Sequence, residues 1–110
     1  MSLFLPLFAL QNNDTAFYLN VTFNRKILDL TPYTVKAYQK ASQTVTDASG
    51  TTYTVGAGLT IISAPLGQVK LVIPHANVPA AGAQWWHLDL IDGSGGVYTV
   101  FYGTLTVKAV

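Results

Sequence analysis

The stretch Trp85-Trp86-His87-Leu88-Asp89-Leu90-Ile91, then Asp92-Gly93-Ser94-Gly95-Gly96, then Val97-Tyr98-Thr99-Val100-Phe101-Tyr102-Gly103-Thr104-Leu105-Thr106-Val107, decides the fold class. Two apolar-rich runs with period-two alternation flank a glycine cluster, and glycine accepts the positive φ angles that a tight hairpin turn requires. Trp86, Leu88 and Leu90 then share one face, assigned to the core, while Trp85, His87 and Asp89 share the other. Such a hairpin predicts an all-β chain.

Upstream segments repeat this grammar. In residues 15–23, Phe17, Leu19, Val21 and Phe23 alternate with Tyr18, Asn20 and Thr22, the pattern of a half-buried strand. Asn24-Arg25-Lys26 reads as a polar turn, and Pro32 biases Thr31 toward extended geometry, so residues 27–32 form a corner. Residues 33–40 resume alternation, with Tyr33, Val35 and Ala37 inside and Lys36, Tyr38 and Lys40 outside. The Thr-rich residues 43–55 carry Asp47-Ala48-Ser49-Gly50, read as the tip of a small mobile hairpin. Residues 59–64 and 68–73 are two further strands around Pro65-Leu66-Gly67, with Val69, Leu71 and Ile73 inward. Residues 75–83, rich in Ala and Pro, form a long connection.

Residues 1–10 are almost wholly apolar, but they lack the basic start and small-residue cleavage site of an export signal and are too short to span a bilayer. They read as a first strand. Pro6, with no amide hydrogen, places that strand at a sheet edge or at a change of partner. The sum is seven or eight short strands in one domain over residues 1–110, the pattern of an antiparallel, immunoglobulin-like β-sandwich, with a small barrel as the alternative. Its core candidates are Phe17, Leu19, Val21, Val35, Val69, Leu71, Trp86, Leu88 and Leu90.

Composition narrows the function. Half of the 110 residues are hydrophobic and only 10% are charged, against roughly 25% in an ordinary soluble domain, so much of the surface is uncharged. The net charge of +1 comes from scattered Lys and Arg, not from the concentrated basic face that nucleic-acid binding draws on. There is no cysteine for a disulfide or thiolate chemistry. His75 and His87 are the only neutral-pH bases, on different segments and outside any catalytic signature. His87 and Asp89 share an outer face and read as a surface pair. Asp92 among its glycines offers too few carboxylates for calcium, and its loop lacks the Lys-Ser/Thr of a phosphate loop. These observations predict no enzyme, no cofactor and no metal.

The outer-face aromatics are the stronger signal. Tyr18, Tyr38 and Trp85, with either Tyr98 and Tyr102 or their neighbour Phe101, exceed what one core accepts. Spare aromatic area beside few charges marks an interface. The interface candidates are therefore Tyr18, Tyr38, Trp85, His87 and Phe101.

Several segments together also carry a resemblance. Asn12-Asn13-Asp14-Thr15 before a strand, Arg25-Lys26 before Ile27-Leu28-Asp29-Leu30-Thr31, Tyr33 and Val35, Gly67-Gln68-Val69 leading to Leu71, and Asp92-Gly93 before Tyr102-Gly103-Thr104-Leu105-Thr106-Val107 occur in that order. Nearly the whole chain thus resembles the immunoglobulin-like N-terminal domain of phage baseplate upper proteins and related small phage structural proteins. The resemblance implies a non-enzymatic tail, baseplate or accessory adaptor component of a virion, made in the host cytoplasm, with other virion proteins and copies of itself as partners. It implies neither nucleic-acid nor membrane binding. The alternative is a carbohydrate-binding sandwich that meets a host glycan through Trp85 with Tyr18 or Tyr38.

Overall fold

The computed structural model describes residues 2–110 and is nearly all strand, as the alternation predicts. The strands are β1 (Leu3–Phe4), β2 (Leu7–Leu10), β3 (Thr15–Asn20), β4 (Thr22–Phe23), β5 (Lys26–Ile27), β6 (Thr34–Lys40), β7 (Thr51–Val55), β8 (Gly58–Ser63), β9 (Gln68–Ile73), β10 (Gly82–Ile91) and β11 (Val97–Lys108). Nine of them form one curled sheet in the order β1-β11-β10-β6-β7-β8-β9-β3, with β2 also on β11, while β4 and β5 make a separate short hairpin. Short 3-10 turns cover Asp47–Ser49 and His75–Asn77.

The sheet is mixed where the sequence suggests an antiparallel one. β1 and β2 run parallel to β11, and a two-residue parallel pairing, Thr54 to Gly58 and Val55 to Leu59, joins β7 to β8. The pairing of β1 and β2 with β11 spans 98 positions and leaves no mark in local alternation, while that of β7 with β8 is a tight turn around Gly56, whose N–H donates to the Leu59 carbonyl. The strand count also exceeds seven or eight, because the first strand is interrupted and β4–β5 is an added hairpin.

One core cluster gathers the inward side chains of β2, β3 and β6 to β11, so the sheet curls around them with its first strand and β3 at the two ends. Leu19, Val21, Val35, Val69, Leu71, Trp86, Leu88 and Leu90 are buried in it, and Phe17 is half-buried against it. Each such aliphatic side chain contributes about 1.5–3 kcal/mol on burial.

Phe101 lies in this core as well, not at an interface. It shares the inward face with Leu105 and Val107 of the same strand and pairs with buried Leu88; a β-bulge follows, where Asp89 pairs with Thr99 and leaves Val100 without an opposite residue. One extra residue reverses the parity of a strand. Phe101 stacks on Trp86, with ring centroids 6.3 Å apart, while the bulge turns Thr99 outward beside Asp89.

The first strand shows what Pro6 does. Leu3 pairs with Phe101 and Leu7 with Leu105, the same offset on both sides of Pro6, so this is one edge strand that keeps its partner. At the break the Leu5 carbonyl leaves the ladder and accepts a 2.8 Å hydrogen bond from the Trp86 indole. Gly103 makes the approach feasible: a Cβ there would stand 2.7 Å from the Leu5 oxygen.

Candidate functional site

The densest group of titratable side chains lies on the outer face of β6 and β10. Alternation places His87 and Asp89 of β10 on that face, beside Tyr38 and Lys36 of β6, which pair with them in register. Yet His87 is 9% exposed and Asp89 5% exposed. Residues 41–50 double back over the sheet, and the 3-10 turn at Asp47–Ser49 covers what would otherwise be open surface. His87 is thus corrected from an exposed interface candidate to a buried one, because alternation tells which side a residue faces, not whether another segment lies on top.

A continuous chain of polar contacts results. The Lys40 ammonium sits 2.8 Å from Asp47 Oδ1, which is 3.0 Å from His87 Nε2. His87 Nδ1 is 2.8 Å from Asp89 Oδ1, and that oxygen accepts a 2.7 Å hydrogen bond from the Thr99 hydroxyl. Tyr38 stacks on the imidazole at 4.7 Å between centroids. Burial pulls the His87 pKa down, but its hydrogen bonds to Asp89 and Asp47 outweigh this and leave it above the ordinary 6.5. The bond from Lys40, helped by His87, holds the Asp47 carboxyl below its ordinary 3.8.

This group suits an ion-pair clasp better than chemistry or metal binding. Donor atoms of Asp47, His87 and Asp89 all lie within 4.8 Å of one another. The two carboxylates, however, sit on opposite ring nitrogens, so one ion about 2.0–2.2 Å from a nitrogen faces only one of them. Lys40 already neutralises Asp47. Among the described residues no serine or threonine hydroxyl bonds to a His87 nitrogen, so the base has no nucleophile to activate.

A second network ties the other 3-10 turn to the sheet. Tyr53 Oη donates to Gln39 Oε1, Gln39 Nε2 donates to Gln84 Oε1 at 2.8 Å and to the Asn77 carbonyl at 2.9 Å, and Asn77 Nδ2 donates to Tyr53 Oη at 3.0 Å. Tyr53→Phe removes the hydroxyl from this buried ring of bonds and costs about 1–3 kcal/mol in urea denaturation. His75, the other histidine, is exposed and meets Asp14, which accepts bonds from its backbone N–H and its ring.

The remaining interface candidates separate. Tyr18 is 68% exposed on β3, at the far end of the strand order from β10, with the Lys70 ammonium 5.6 Å from its ring. Trp85 is half-buried beside Tyr102, which meets Phe4 in turn. Those three rings tilt by 34° and 71° to one another and do not form a flat platform for a sugar.

Sequence reasoning passed over the first strand as a surface. Leu7 and Ala9 point inward, while Leu3, Phe4, Phe8 and Leu10 are half or more exposed. Their alternation with Leu7 and Ala9 was the available signal. The Asp92 loop is a turn, its carboxylate accepting bonds from the Ser94 and Gly96 amides at 2.9 and 2.8 Å. No protein-family model matches this chain, and no curated protein matches it.

Proposed function

We propose that this chain is a non-enzymatic, immunoglobulin-like sandwich module of a phage particle that joins copies of itself and other virion proteins through the outer edge of its first strand. The observation that carries the reading is that edge. β1 and β2 pair with β11 on one side, and their other side meets no described strand. Residues 2–10 carry no charged side chain, and four large apolar ones stand exposed there. Sheet edges are normally guarded by lysines, prolines or a covering loop, because an open ladder is a template for a further strand. Here Pro6 and the Lys108 ammonium, 5.2 Å from the Phe8 ring, are the guards, and neither covers Leu3 or Phe4.

The layering supports the sandwich. β3, β8 and β9 form one antiparallel group and β6, β10 and β11 another, both contributing to one core. The virion setting rests on the resemblance of the segments around Asp14, Asp29, Gly67 and Gly103, and makes the particle, assembled from host-cytoplasmic synthesis, its location. The saturated contacts of His87 and Asp47 support a role without catalysis.

Light scattering on the purified chain tests the reading. The expected result is a mass of two or more copies that falls to one copy in the double variant Leu3→Lys with Phe8→Lys, at an unchanged thermal midpoint because both side chains are already exposed. A wild-type chain that stays single at high concentration and does not sediment with particles refutes it.

A further inference from the structure

We propose that residues 41–50 are a pH-released latch over the outer face of β6 and β10, held shut by a protonated His87 clasped between Asp47 and Asp89. Both ring nitrogens face a carboxylate oxygen, at 3.0 and 2.8 Å. A carboxylate only accepts, and a neutral imidazole has one N–H and one lone pair, so only the imidazolium satisfies both contacts. Loss of one proton aims a lone pair at an anionic oxygen, and one contact must open.

The geometry decides which. Asp89 lies inside β10, in unbroken register with Lys36 of β6, is 5% exposed, and keeps the Thr99 hydroxyl. Asp47 rides on the 3-10 turn with its side chain 42% exposed, where water replaces the ring at little cost. Asp47 is the contact that leaves. The groups facing His87 are Tyr38, Lys40 and, one pair along, Lys36 from β6, Tyr102 from β11, Asp89 on its own strand and Asp47 on the turn. In the closed state two carboxylates within the clasp meet two cations, Lys40 and His87. After deprotonation the same carboxylates share Lys40 alone, and the turn is held only by that flexible side chain.

The direction in pH follows. Because the folded His87 pKa lies above 6.5, the clasp's stabilisation is complete below 6.5 and is lost as pH rises through that folded value. At the acid end the Asp47 contribution, complete above 3.8, is lost as the pH falls through its lowered value. Opening uncovers Tyr38 beside Tyr102. The latch stands on these contacts and does not depend on the assembly reading.

Amide hydrogen exchange and a His87 ring titration by NMR on the full chain, followed from pH 5.5 to 9, test it. The Ser49 and Gly50 amides, bonded to the Thr46 and Asp47 carbonyls, are expected to lose about tenfold or more in protection factor, with the same midpoint as the His87 ring, while β9 amides keep theirs. In His87→Gln the step disappears. Constant protection of residues 47–50 across the His87 titration overturns the latch, as does a parallel loss in β9, which is global opening. The wild-type titration alone decides the matter where the variant does not fold.

Discussion

Gly67→Ala is expected to destabilise the domain by about 3 kcal/mol or more and to lower its thermal midpoint by at least about 10 °C in a scan followed by circular dichroism. Gly67 ends the turn between β8 and β9 with φ at +67°, a left-handed conformation that resists a side chain. The added Cβ would also stand 2.6 Å from the Val21 carbonyl oxygen and 2.8 Å from that of Leu28. Both obstacles are backbone, and neither has a rotamer to escape into. The turn is fixed from several sides: Val21 N–H donates to the Gly67 carbonyl, Leu30 N–H to the Ala64 carbonyl, and Gly67 N–H to Ala64 as well. Relief of the clash therefore breaks bonds that join three segments. Gly93→Ala is the matched control, since its Cβ would meet nothing within 4 Å and the change stays within about 0.5 kcal/mol.

Trp86 carries the second large effect. Trp86→Ala leaves a void among Leu5, Phe101 and the β10 core and costs about 3–5 kcal/mol in guanidinium denaturation. That is a large part of the roughly 5–15 kcal/mol that holds a domain of this size together. Trp86→Phe separates the two roles of the side chain. It keeps most of the apolar packing but orphans the Leu5 carbonyl, at a cost of about 1–3 kcal/mol. Its signature is selective: β1 and β2 amides lose protection before those of β9. Equal loss everywhere in Trp86→Phe would show that the indole bond does not tether the first strand.

How far the fold was legible follows from what each residue's pattern reports. β9 was read with its observed bounds, Gln68–Ile73, because Val69, Leu71 and Ile73 alternate cleanly against a single core. The corner at residues 27–32 was legible from Pro32, and Asp29 fastens it by accepting bonds from the Thr31 amide and hydroxyl two residues on. Phe101 shares parity with Leu105 and Val107, a signal passed over in placing it at an interface; the outward turn of Thr99 was not legible, because a bulge changes parity without any required residue type, and Val100 looks like every other strand valine. The parallel pairings of β1 and β2 escaped because they span 98 positions, and local alternation does not report long-range register. In the candidate site, the His87–Asp89 contact follows from their i, i+2 spacing on one strand. Asp47 does not: it reaches His87 across forty positions, carried there by a segment whose sequence reads as a mobile hairpin tip. Its anchoring by Lys40 and His87 is tertiary, and it turned a surface pair into a buried clasp.

The bond between the Trp86 indole and the Leu5 carbonyl has an optical consequence. The chain has two tryptophans, so replacing Trp85 with Phe leaves a single fluorophore fastened to the backbone of the first strand. Its emission would shift when that strand peels away from β11, ahead of any melting of the remaining sheet, giving a native gauge of whether a neighbouring molecule adds to the exposed rim or takes the strand's place.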